Sequence, residues 1–307
     1  MTMSTQFHEG EQRVRNRAHL HEPVLDTQNY FRMFMPAQHR ELFEKLPFVV
    51  IAALDNDDQP WATLLEGSPG FVAALDETHL RLHATLPAGD RLAAWLQAGA
   101  HIGLLGIEPQ TRRRNRANGV IEQVTSAYLD VQVLQSFGNC PKYIQARTVE
   151  YGPTRQLTPQ ARRIAASDPI FISVIDQADT FFIASAHPCT RDAQRPEYGI
   201  DVSHRGGQAG FVQRHGDTLL VDDYVGNTFF NTLGNLELNP RAGLLFVDMQ
   251  VGALLQVAVR TEIEWLTTLP ADRKATNRRL HFHVEDAWYL AERSALQWGA
   301  AQLSPFL

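Results

Sequence analysis

Two stretches, "GSPGFVAALDETHL" (Gly67–Leu80) and "GQAGFVQRHGDTLL" (Gly207–Leu220), decide how this chain is read. Their Gly-Phe-Val cores begin at Gly70 and Gly210, 140 residues apart. The same offset recurs downstream, where "AHIGLLGIE" meets "RAGLLFVD" at Gly103 and Gly243, and Glu108 meets Asp248. Upstream, "VIAAL" (Val50–Leu54) corresponds to "IASAH" (Ile183–His187), with extra residues before Gly199 in the second copy. "GVIE" answers "RTEIE" with a two-residue slip, and "VLQSFGNCPKYIQAR" loosely answers "VEDAWYLAERSALQW". One offset held across two glycine-anchored blocks reads as a tandem duplication.

Each copy is rich in short strands bounded by Gly, Asp or Pro. In the first, "PAQHRELFEKL" predicts a helix leading into the strand "PFVVIAAL", with "WATLLEG", "GFVAAL" and "HLRLHA" after the "DNDDQP" turn. "RLAAWLQAG" reads as helical, "HIGLLGI" as a buried strand, and "RRRNRANGVIEQV" and "AYLDVQVLQ" as closing strands. The second copy repeats the order, with "TPQARRIAA" and "DPIFISVIDQ" as its helical lead. The expected fold is mainly β with helices (α+β): two small barrels in tandem. The boundaries fall at 1–45 for an N-terminal helical arm, 46–150 for the first barrel and 151–307 for the second.

The chain has 307 residues, enough for two cores, and a net charge of −6. That acidic balance argues against a nucleic-acid binder, so the run "TRRRNRANG" (Thr111–Gly119) is a local feature. Two cysteines, Cys140 and Cys189, give no disulfide framework, and no apolar run is long enough for a membrane span. A soluble, cytoplasmic protein is the expectation. The cysteines and histidines show no metal-ligand spacing, so no metal is expected. Cys140 lacks an adjacent His or a CxxC partner and reads as loop architecture rather than a nucleophile. His281 and His283 alternate on a strand and read as surface or interface residues.

The second copy, from "GIDVSHRGGQAGFV" through "DTLLVDDYVGNTFFNTLGNLELNPRAGLLFVD", resembles the FMN-binding split-barrel family related to pyridoxamine 5'-phosphate oxidase. The first copy is similar through its helix followed by "PFVVIAALDNDDQPWATLL", its "RRRNRANG" and its "SFGNCPKYIQAR". This resemblance implies FMN at an interface between two barrels, normally that of a homodimer. Here the duplication puts both barrels in one chain as a pseudo-dimer, with further homodimerisation left open.

Three groups of residues are candidates for holding the flavin. Arg112, Arg114 and Arg116 would share one face of a strand, suited to phosphate or to a partner interface; a charged edge strand is the plain alternative. Arg116 to Gly119, including Asn118, aligns with an Arg-x-Asn-Gly pattern of the family, lost in the second copy at Gln256 to Val259. Ser203, His204 and Arg205 lie on the strand that holds flavin phosphate in related proteins, followed by Asn227, Thr228, Asn231 and Thr232. Relatives carry a basic residue just after this Gly-Asn turn; this chain has Phe229–Phe230, which shifts the burden to Arg205 and His204. Asn139 and Lys142 sit on the Gly/Pro-rich loop that would open a short helix.

The first copy has Thr63–Gly67 where the second has its phosphate strand, and Glu66 there would repel a phosphate. A single composite site per chain is therefore expected, its opposite counterpart degenerate. No residue is assigned a catalytic role. The leading expectation is a flavin-dependent oxidoreductase with a small-molecule substrate or electron donor. Alternatives are a non-catalytic binder of flavin, haem or deazaflavin, or a cofactor-free dimer with Phe229–Phe230 filling the pocket.

Overall fold

The computed structural model describes residues 7–20, 30–152, 157–192, 195–272 and 274–307. Helix α1 (Glu9–Arg17) and helix α2 (Ala37–Lys45) precede the first sheet. That sheet contains β1 (Phe48–Leu54), β2 (Pro60–Glu66), β3 (Val72–Ala74), β4 (His79–Leu82), β5 (His101–Glu108), β6 (Arg113–Val124) and β7 (Leu129–Gly138). Strands β8 (Val149–Tyr151) and β9 (Gln160–Arg163) follow, then helix α3 (Pro169–Gln177). The second sheet contains β10 (Thr180–Ala186), β11 (Ile200–Gly206), β12 (Gln213–His215), β13 (Thr218–Tyr224), β14 (Arg241–Asp248), β15 (Ala253–Trp265) and β16 (Ala275–Ala291). Helix α4 (Asn231–Leu238) lies between β13 and β14, and β17 (Leu296–Trp298) pairs with β8.

The first sheet runs β2-β1-β5-β6-β7-β4-β3 and the second β11-β10-β14-β15-β16-β13-β12. Strand for strand these are the same order, so the repeat in the sequence is also a repeat of topology. The registers agree: Ala52 faces Gly103 as Ala184 faces Gly243, and Leu105 faces Arg116 as Leu245 faces Gln256. The fold is mainly β with few helices, as the strand-rich pattern predicts. Among the described residues no helix is long and apolar enough to cross a membrane.

The unbroken apolar runs have a direct cause. Successive side chains of a strand point to opposite faces. Val49, Ile51 and Ala53 of β1 enter the core of the first sheet, while Phe48, Val50 and Ala52 enter a core shared by both sheets. On β10, Phe181 and Ile183 enter the second sheet's core, while Phe182, Ala184 and Ala186 enter the shared one. Both faces are dry, so neither run alternates with polar residues.

Close approach of the sheets rests on two equivalent glycines. A Cβ on Gly103 of β5 would lie 2.7 Å from the carbonyl oxygen of Ile200 on β11. A Cβ on Gly243 of β14 would lie 2.3 Å from that of Pro60 on β2. Pro60 and Ile200 occupy the same register position in their sheets, so the contact is reciprocal.

Three expected helices are absent. Residues 91–95 form tight turns, because the Asp90 carboxylate accepts from Leu92 N–H and is drawn into a buried network. "TPQARRIAA" supplies β9, which pairs with Trp288–Ala291 of β16 and so gives β16 a second neighbour along that stretch. The "GNCPKYIQAR" loop forms turns, with Tyr143 at φ 66° and Ala146 bridged to Gln302. The expected arm is helical at α1; its residues 1–6 and 21–29 lie outside the described residues.

Valine at either interface glycine forces a branched side chain into backbone that has no free rotamer to yield. Gly103→Val and Gly243→Val should each lower stability by about 1–3 kcal/mol or more in urea unfolding. A loss below about 0.5 kcal/mol at both would show that the sheets are not in backbone contact there.

Candidate functional site

A cavity of about 240 Å³ opens between the two halves of the chain. Its walls come from β6 and the loop after β7 on one side, and from β11, β13, α4 and β16 on the other. Of the thirteen residues singled out from sequence, eleven line it: Arg114, Arg116, Asn139 and Lys142 from the first half, Ser203, His204, Arg205, Asn227, Thr228, Asn231 and Thr232 from the second. Arg112 and Asn118 do not. Asn118 lies one layer behind, donating to the Asp201 carboxylate at 2.7 Å.

The arginine run divides as strand geometry requires, starting one residue later than expected. Arg112 ends a turn at φ 55°, outside the strand, and donates to the Ile144 carbonyl. It therefore does not share the cavity face. From Arg113 the chain is extended: Arg113 is exposed, Arg114 and Arg116 turn toward the cavity, and Asn115 is buried on the opposite face.

Arg116 is 6 % exposed, and protein acceptors surround it. Its Nη1 donates to Asp201 and to the Asn231 side-chain oxygen, both at 3.1 Å, and its Nη2 donates to Ser203 Oγ. Ser203 Oγ also meets Thr232 Oγ1 at 2.8 Å. One ion pair, Arg116–Asp201, thus crosses from the first sheet to the second.

Arg114 donates to the carbonyls of Cys140 and His204, and among the described residues it has no carboxylate partner. Burial, then Arg116 and Arg205, push its pKa down to about 9, a sign of uncompensated positive charge. Arg205 lies 3.9 Å from Asp223, whose nearer partner is Arg278 at 2.9 Å. His204 is held neutral, its pKa well below the ordinary value because of burial and the charges of Arg114, Arg205 and Arg147. Four atoms on these walls find no hydrogen-bond partner among the described residues: Arg116 Nε, Arg205 Nε, His204 Nδ1 and Asn139 Oδ1. Buried polar groups are rarely left so, and here they cluster around one cavity.

The opposite wall is apolar, built from Phe211, Val221, Leu233 and Leu280 of the second sheet's core. Phe229 does not fill the cavity but packs among Phe7, Phe31 and Phe137. Phe230 lines it, with the Arg278 guanidinium 5.1 Å from its ring centre. Cys140 lines it too, contributing its carbonyl to Arg114.

Sequence reading missed Arg278, Asp223 and Tyr224, and gave Tyr143 no role beyond its place on the candidate loop. Arg278 lies far down the chain, yet its pairing with Asp223 adds a cation that the Gly-Asn turn lacks. Tyr143 and Tyr224 meet at 5.0 Å, and burial pushes Tyr143 up to about 12, keeping its phenol protonated.

The equivalent place in the other orientation is closed. Thr63 stands opposite Ile51 as Ser203 stands opposite Ile183, and Gln256 takes the register of Arg116. There the Asp90 carboxylate accepts from Thr63 at 2.5 Å, from Gln256 at 3.3 Å and from Arg293 at 3.4 Å. Arg293 also donates to the Leu64 carbonyl, and Glu66 accepts from Ser294 Oγ and Ala295 N–H. Protein groups occupy the positions that stay open in the first cavity.

His8, Glu9 and His187 come together elsewhere with metal-like composition. Their hydrogen bonds speak against a metal. Nδ1 of His8 accepts from Gly10 N–H and Nδ1 of His187 from Cys189 N–H, so each ring carries its proton on Nε2. His281 and His283 hold Glu264 and Thr218 on β15 and β13, away from the cavity lining.

Residues 35–158 match the family described as "Pyridoxamine 5'-phosphate oxidase", so this segment of the chain is similar to that family. No curated protein matches it. Among solved structures, a Clostridium acetobutylicum protein related to general stress protein 26 of B. subtilis (pyridoxinephosphate oxidase family) is 12% identical, covering 44% of this chain and 92% of its own, with a TM-score of 0.30. An F420 reductase is 15% identical, covering 41% and 94%, at 0.25. HutZ, the heme storage protein from Vibrio cholerae, is 8% identical, covering 47% and 100%, at 0.23. Scores this low bear on neither ligand nor activity.

The uncompensated charge at Arg114 gives a direct test. In phosphate-free buffer Arg114→Gln should unfold at higher urea than the unmodified protein, by about 1 kcal/mol, because a buried unpaired charge is removed. Inorganic phosphate should raise the midpoint of the unmodified protein and leave the variant unmoved. Equal responses of the two proteins would show that Arg114 already has its counter-charge.

Proposed function

We propose that the chain is an FMN-binding protein that acts as a flavin-dependent oxidoreductase on a small molecule. Its two sheets are read as tandem split barrels, 46–150 and 151–307 behind an arm at 1–45, arising by duplication and forming an intramolecular pseudo-dimer. The observation that carries this reading is a cavity in which cations, and polar atoms unpartnered among the described residues, converge from both halves. The opposite place is plugged by Asp90, Arg293 and Gln256.

The residues present fit an FMN. Arg114 has positive charge to spare for a phosphate, with Arg205 on the same cavity wall, and guanidinium groups bind phosphate with paired N–H donors. Ser203, Thr232, Asn227 and Thr228 offer hydroxyls and an amide for a ribityl chain. Phe211, Val221, Leu233 and Leu280 offer apolar surface for a ring. When bound, the flavin supplies the hydride and electron transfer. The chain's own residues bind and orient it. His204 stays neutral, so it does not add to the cationic excess, and Tyr143 keeps its proton at the cavity wall.

The neutral, unpartnered His204 Nδ1 also favours a second reading, a haem ligated by that imidazole. The absorption spectrum of the purified protein separates the two: flavin bands for the first, a Soret band for the second. Arg205→Ala and Arg116→Ala should each weaken FMN binding about tenfold or more. Wild-type flavin content in both variants would sink the composite site.

A further inference from the structure

We infer that Glu11, on the N-terminal helix, is a positioning residue for the cavity, acting through Asn231 on Arg116. The inference rests on the proposed binding site and extends it to a segment that sequence reading treated only as an arm. It is carried by a relay of hydrogen bonds with a fixed sense. Glu11 Oε1 accepts from Asn231 Nδ2 at 2.6 Å, and Asn231 Oδ1 accepts from Arg116 Nη1 at 3.1 Å. A guanidinium can only donate, so Asn231 turns its oxygen to Arg116 and its N–H to Glu11, whose burial, with Asp201 nearby, holds its pKa well above the ordinary carboxylate value. The second Glu11 oxygen accepts from His8 N–H at 2.9 Å, closing the helix cap and leaving the side chain no freedom to turn.

The helix comes this close because two glycines face each other. A Cβ on Gly10 would lie 2.1 Å from the Gly234 carbonyl oxygen, and one on Gly234 would lie 2.4 Å from Glu11 Cγ. Farther along α1, Arg15 donates to the Thr228 carbonyl, and beyond the helix Ala18 and Leu20 line the cavity itself. The arm therefore grips the turn before α4 at Thr228 and at Asn231. Thr228 and Phe230 in that turn both have φ 62°, a conformation that side-chain-bearing residues hold only under outside constraint. Glu11 is 3 % exposed, and nothing of it reaches the cavity lining; its effect passes through Asn231.

Reversing the polarity of the pair tests this. Asn231→Asp sets two carboxylates face to face while keeping an acceptor for Arg116. Glu11→Gln sets two amide donors in conflict, either at Asn231 or at His8 N–H. In the double variant the new amide on α1 donates to the new carboxylate on α4. That carboxylate still accepts from Arg116, and His8 N–H keeps an oxygen acceptor. Each single variant should weaken FMN binding, followed by quenching of flavin fluorescence, about tenfold; the double should return to within about threefold of the unmodified protein. A helix that merely packs would respond to neither the sense nor the rescue. Single variants that bind FMN as the unmodified protein does, or a double no better than the weaker single, overturn the inference. If the unmodified protein takes up no FMN, the proposed function fails, and the same four proteins are compared by thermal melting. There, loss in both singles with recovery in the double upholds the relay, and additive loss overturns it.

Discussion

Everything at the centre of this molecule depends on backbone touching backbone at Gly103 and Gly243. Each glycine lets a strand of one sheet lie on the second strand of the other, and the two contacts are equivalent by register. That reciprocity is what a two-fold axis produces between identical subunits. Here it relates two halves of one chain. The approach creates the shared core of Phe48, Val50, Phe182 and Ala184, and it brings Arg116 of one sheet within 3.1 Å of Asp201 on the other.

Symmetry of backbone has not kept symmetry of chemistry. Where the second copy has Ser203, Arg205 and Gly206, the first has Thr63, Leu65 and Glu66. Where the first has Arg116, the second has Gln256. Among the described residues, one inter-sheet place therefore collects arginines in excess of nearby carboxylates, while its counterpart collects a matched Asp90–Arg293 pair that fills itself. Within one chain the two places are free to differ, whereas identical subunits must carry both alike. The cost of the open place is a set of buried polar atoms left unpartnered among the described residues, together with repelling cations, strain of the kind that binding sites retain.

Much of this was legible in the residues. The glycine-anchored repeat foretold the repeated topology, because a glycine needed for close approach cannot drift. Continuous apolar runs such as "PFVVIAAL" signalled strands buried on both faces. Eleven of the thirteen residues singled out from sequence line one cavity, since strand alternation and the Gly-Asn turn fix their direction locally. Asn118 failed because its partner, Asp201, comes from the other half and captures it. Arg278, Asp223 and Glu11 were invisible because only tertiary packing brings them near. The helices expected at "RLAAWLQAG" and "TPQARRIAA" failed for a related reason: Asp90 and the β16 edge offered better partners than an isolated helical turn.

Under the proposed function, two unlike halves build one binding place, not two. Equilibrium dialysis of the purified, cofactor-free protein against FMN measures this directly. A single composite site predicts saturation at one flavin per chain. Saturation at two, or no uptake at all, would contradict it.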